Sequence, residues 1–142
     1  MLKMLIAIDG SEHARRAVDV VAGMVPKTLA LRAVLLNVRQ GPAYFGELPP
    51  FDFASVERAQ QQVQDVMLQD ALAHARRAGL VEVSGEVAAG EVAGEIVRFA
   101  QKGGFDQIVM GTHGRGALGS LFLGSVAQRV IHLSRTPVLL VK

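Results

Sequence analysis

Short apolar runs alternate with amphipathic runs along the whole chain, and this alternation restricts the possible folds more than any other feature. Met4 to Ile8 is apolar and leads into Asp9-Gly10-Ser11. Ser11 is placed to cap a helix in which Ala14, Ala17, Val18, Val21 and Ala22 recur near helical spacing, with Pro26 beyond its end. Leu31 to Val38 reads as a second strand. Gly41 to Phe53, GPAYFGELPPFDF, is too rich in Gly and Pro for a regular element. Ala54 to Ala78 reads as a long helix, with Val56, Ala59, Val63, Val66 and Met67 on its apolar side and Gly79 at its end. Val81, Val83 and Val87 alternate with Glu82, Ser84 and Glu86, which predicts a strand with one wet face at a sheet edge. Val92, Ile96 and Phe99 mark a third helix, ended by Gly103-Gly104. Gln107 to Met110 is a fourth strand, Val126 to Leu133 a fourth helix and Pro137 to Val141 a fifth strand.

Strand and helix in strict turn predict an α/β fold: one domain over residues 1–142, with a parallel sheet and helices on both faces. In such sheets ligands bind beyond the carboxyl ends of the strands, where the strand order reverses. Two strand ends are equipped for this. One is Asp9-Gly10-Ser11. The other is GTHGRGALGSLFLGS, residues 111–125, which holds five of the fifteen glycines.

Composition narrows the chemistry. There is no Cys, hence no disulfide, thiol nucleophile or zinc–thiolate site. No apolar run approaches a membrane span, and the N-terminal stretch meets Asp9 before any signal-peptide pattern, so a soluble cytoplasmic protein is expected. All thirteen acids lie between Asp9 and Asp106, so the glycine-rich stretch sits in the one segment free of carboxylates. That segment favours an anionic partner, although its excess of cations is modest.

The glycines fit no common nucleotide motif. Gly114, Gly116 and Gly119 have dinucleotide-fingerprint spacing but follow the fourth strand, and no acid follows them for a ribose. No lysine precedes Ser125, which excludes a P-loop. The four histidines are scattered, which speaks against a metal site. What remains is backbone chemistry. Glycine lets a chain approach a ligand closely. Gly124-Ser125 stands at the start of the fourth helix, where unpaired N–H groups and the helix dipole make an anion seat. A tight turn with an N-cap explains two or three of these glycines, not five.

The spacing Gly111, two residues, Gly114, nine residues, Gly124-Ser125, with DQIVMGTHGRG before it and GSVAQRVIHLSRTPVLLVK after, resembles the universal stress protein family. The N-terminal run into AIDGSEHA agrees, and the likeness covers essentially the whole chain. The resemblance implies a Rossmann-like parallel sheet in the order 3-2-1-4-5, which brings the first and fourth strand ends together. It implies ATP as ligand, with a companion Mg²⁺ left open and ADP or AMP not distinguished. The implied contacts are Asp9, Val38, Met110, Gly111, Gly114, Gly124, Ser125 and Val126. It also implies a homodimer through the last strand, Val138 to Val141. Neither a nucleic acid nor a membrane is implied as partner.

Other residues keep two readings. Arg115 reaches a terminal phosphate from the loop or stays solvated. Asp9 orients the nucleoside or merely favours the first helix. Tyr44, Phe45, Phe51 and Phe53 form a lid over the base or pack within their loop. The function expected is an ATP-binding stress-response module. Its rivals are a slow ATP hydrolase assisted by Asp9 or His113, and a structural dimer without ligand.

Overall fold

The structure, a computed structural model, describes residues 1–26, 28–41, 52–114 and 122–142. Its elements alternate as expected: β1 (Leu2–Ala7), α1 (Glu12–Met24), β2 (Leu31–Gln40), α2 (Phe53–Ala78), β3 (Glu82–Gly90), α3 (Val92–Gly103), β4 (Gln107–Gly111), α4 (Ser125–Leu133) and β5 (Val138–Val141). The strands form one parallel sheet in the order β3-β2-β1-β4-β5. Arg115 and residues 42–51, which include Tyr44, Phe45 and Phe51, lie outside the described residues.

Strand side chains alternate between two apolar layers. Ile6, Leu35 and Val109 pack with Ala17, Val18 and Val21 of α1 and Leu68 and Leu72 of α2. Leu5, Leu36 and Ile108 pack on the other face with Ala93, Ile96 and Ala100 of α3 and Ala127 and Val130 of α4. Leu5 and Ile6 are both fully buried. Truncating either to Ala should cost about 2–5 kcal/mol.

Helix boundaries follow local chemistry. Ser11 caps α1 by accepting from the Ala14 N–H at 3.2 Å. Gly79, with φ +108°, ends α2 in a left-handed turn that a side chain would strain.

Two expectations need correction. The strand β3 begins at Glu82, and Val81 is 93% exposed. The buried face of α2 is Gln64, Leu68, Leu72 and Ala75, whereas Val56, Val63 and Val66 are exposed. Gln64 is buried because its Nε2 donates to the carbonyls of Asn37 and Ala88, each at 3.1 Å. A hydrogen-bonded amide here takes the place that hydrophobicity would have given to a valine.

Candidate nucleotide site

The strand order reverses between β1 and β4, which pair side by side with Ile6 opposite Val109. The chain leaves β1 toward α1 on one face, and after β4 it reaches α4 on the other. A cavity of about 500 Å³ opens above these strand ends. Asp9, Val38, Met110 and Gly111 line it from the sheet. Gly114, Gly124, Ser125 and Val126 line it from the segment beyond β4 and from α4. Val92 and Ile96 of α3 give it an apolar wall. The volume lies within the range of small-molecule sites. Every motif residue within the described part of the chain thus meets in one place.

At one of these positions, Gly111, the protein itself requires glycine. A Cβ on Gly111 would fall 2.6 Å from the His13 Cβ, so β4 passes hard against the start of α1. A Cβ on Gly114 would fall 2.6 Å from Asp9 Oδ2, which places the Asp9 carboxylate across the crevice against the segment beyond β4. Asp9 is held on its own side as well, its Oδ1 accepting from the Ser11 N–H at 2.9 Å. Gly10, with φ +79°, provides the left-handed turn between them.

The start of α4 is the electropositive wall. Gly124 is its N-cap, and no side chain caps it. The Gly124 N–H donates to the Thr112 carbonyl at 2.8 Å, so this amide, expected at the anion seat, is already used. The open donors belong to the first helical turn that follows, Ser125 to Ala127, where an α-helix has no internal acceptors. These N–H groups and the helix dipole favour a negative group in the cavity.

Thr112 and His113 were not singled out as site-builders in the sequence. The Thr112 N–H donates to the Val141 carbonyl at 2.9 Å, which ties the site to β5. His113 Nδ1 lies 3.0 Å from Thr112 Oγ1, and its Nε2 donates to the Phe122 carbonyl. Both ring nitrogens are engaged, so the imidazole ties Thr112 to the Phe122 main chain. Among the described residues there is no cluster of three or more His, Cys, Asp or Glu that could hold a metal. Also among the described residues, no helix is long and apolar enough to cross a membrane.

The profile of the universal stress protein family matches residues 1–142. A universal stress protein of Thermus aquaticus is 36% identical over 139 residues, covering 98% of this chain and 97% of the relative. The universal stress protein YxiE of Bacillus subtilis is 32% identical over 146 residues, covering 99% and 98%. Among solved structures, that of the protein MJ0577 superposes with a TM-score of 0.74 at 28% identity, covering 99% of this chain and 94% of that one. The universal stress protein of Archaeoglobus fulgidus, solved in complex with dAMP, shares the fold with a TM-score of 0.66 at 23% identity, covering 100% and 98%. This is a doubly wound α/β protein with a crevice at its switch point. The chain belongs to the universal stress protein family.

Proposed function

We propose that this chain is an ATP-binding regulatory module of its family, with the nucleotide seated across the ends of β1 and β4. One observation carries the reading: the uncapped start of α4 shares a single cavity with Asp9, Val38 and the motif glycines. Ser125, Val126 and Ala127 would donate main-chain N–H groups to phosphate oxygens, and the Ser125 hydroxyl would add one more donor. Asp9 would meet the sugar, and Val38 would border the base. Arg115 belongs to the same proposal as a ligand of the terminal phosphate. ATP supplies a triphosphate and, with it, a place for Mg²⁺ on phosphate oxygens. A fold relative in complex with dAMP is consistent with this reading. Freshly purified protein, denatured and examined by mass spectrometry, should release an adenine nucleotide, and the stripped protein should bind ATP in a calorimetric titration. Release of no nucleotide together with no heat on titration would sink the reading.

The proposal includes a homodimer through β5. This edge strand is Val-Leu-Leu-Val without a charge, whereas the opposite edge, β3, carries Glu82 and Glu86. Apolar edges attract partners and charged ones deter them. Light scattering at micromolar concentration should give the mass of two chains; a monomer's mass would refute the dimer.

A further inference from the structure

The outer face of α2 carries an apolar seam that no described part of the chain covers. The helix buries Gln64, Leu68, Leu72 and Ala75. Val56, Val63 and Val66 stand on the opposite side, and Val63 and Val66 are 62% and 58% exposed. A surface helix needs one apolar stripe to join its own core. This helix has two, and at 26 residues it is twice the length of α1, which has 13.

The seam has the spacing of a helix-to-helix contact. Val56, Ala59, Val63 and Val66 follow one another at intervals of three and four residues, and Asp70, Ala73 and Arg77 continue the pattern. These are the a and d positions of a heptad, the arrangement by which one helix seats another. Met67 and His74 flank the seam on the side of a groove of about 600 Å³, which Ala14 and Val18 of α1 line from across.

The charged residues of the seam select the occupant and its direction. A copy of α2 running parallel in register would set Asp70 against Asp70 and Arg77 against Arg77. Like charges in a seam repel. A copy running antiparallel, with Val63 against Val66 of the second copy, sets Val56 against Ala73 and Asp70 against Ala59. It also sets Arg77 against Asp52, the N-cap residue of the other helix. The two ends of α2 are complementary in the same sense, with Asp52 and Glu57 at the start and Arg76 and Arg77 at the end.

We propose that the outer face of α2 is a self-association surface, on which the α2 helices of two copies of this chain pack antiparallel, Val63 of each against Val66 of the other. The helix rests on β2, β3 and α1, at the side of the sheet remote from β5, so the contact leaves β5 open to a partner of its own. The seam residues are small, so this contact forms at higher protein concentration than an edge pairing. It needs no nucleotide.

Two measurements test it, both without ligand. The chain has no cysteine, so an introduced one reports a contact without background. Val63→Cys and Val66→Cys are mixed and oxidised. The mixture should form cross-linked pairs several-fold faster than either variant alone, because only unlike positions meet. No cross-link in the mixture, or equal rates in the mixture and in either variant alone, would overturn the proposal. The second measurement is mass by sedimentation, from low to high micromolar protein. At the highest concentration Val66→Glu should show no more than half the parent's mass, since its carboxylate would be buried against Val63 without a partner. Position 66 is exposed in the single chain, so the circular dichroism and urea midpoint of Val66→Glu should match the parent's. Arg77→Glu, which sets a carboxylate against Asp52, should shift association to higher concentration. Equal masses for the parent and Val66→Glu would overturn the proposal. The halving reads α2 alone: it takes four chains to two where β5 also pairs, and two chains to one where β5 does not.

Discussion

Helices α3 and α4 lie on the same face of the sheet, yet they begin in opposite electrostatic conditions. Each follows the carboxyl end of a strand, and each has an extended N-cap residue, Glu91 for α3 and Gly124 for α4. Glu91 turns its carboxylate onto the first turn of α3 and accepts from the Gly94 N–H at 2.6 Å. That helix carries its own anion. Gly124 has no side chain, and its N–H is spent on Thr112. Helices α1 and α2 resemble α3, with Ser11 and Asp52 as caps. Among the described helices only α4 is left bare, so its dipole is available to a ligand. Glu91 also pairs with Arg129 of α4 at 3.2 Å, which links the capped helix to the bare one.

The comparison can be broken most severely at Gly124. A Cβ there would stand 3.1 Å from the Thr112 carbonyl oxygen and 3.3 Å from the His113 Cα, both backbone atoms with little freedom to yield. Gly124→Val should therefore abolish ATP binding in a calorimetric titration and also destabilise the fold by about 1–3 kcal/mol in urea. Binding within a few-fold of the parent would show that the phosphate seat is elsewhere.

Ser125→Asp gives α4 the anion that α3 already owns. A carboxylate in the first turn suits the dipole, so stability should hold or rise by about 0.3–1 kcal/mol. ATP affinity should fall on the order of a hundredfold, because two negative charges a few ångströms apart repel strongly. Tight ATP binding by this variant would mean that the start of α4 faces no phosphate. Ser125→Ala is milder. It removes one hydroxyl and leaves the main-chain donors, so affinity should drop only about tenfold, or 1–2 kcal/mol.

The converse change is Glu91→Ala. It uncaps α3 and should cost about 1 kcal/mol of stability in urea denaturation, with ATP affinity nearly unchanged. A large loss of affinity here would show that the two helix starts are not independent. The smallest effect concerns acid. Hydrogen bonds from the Ser55 hydroxyl and N–H hold the Asp52 carboxyl below the usual carboxylate range. Its cap is therefore complete above the unfolded pKa and is lost as pH falls through the lower folded value. Amide exchange at the start of α2 should quicken over that window. The start of α4 has no carboxylate cap and should show no matching step.

Much of this molecule was legible from spacing alone. Local rules placed every strand and helix of the alternation, because period and punctuation act within a few residues. Ser11 as a cap and Gly79 and Gly104 as helix ends follow from what their side chains, or lack of them, do to the nearest backbone. The glycine spacing points to the strand end where the cavity lies. The third strand was read as an edge from its wet face, and it is one.

Tertiary structure decided the rest, since the partners are distant in sequence. Val63 and Val66 read as core and are exposed, while Gln64 is buried because two carbonyls from β2 and β3 await it. The Gly124 amide, which the pattern offered to a ligand, is taken by Thr112, and the donors pass to the next turn. Asn37 lies within the run Leu31 to Val38 that reads as a strand, and only the arrival of β1 beside it gives its amide the Ile8 carbonyl to hold. A sequence states which groups can bond; which of them remain open at a site is fixed only when the fold has assigned all the others.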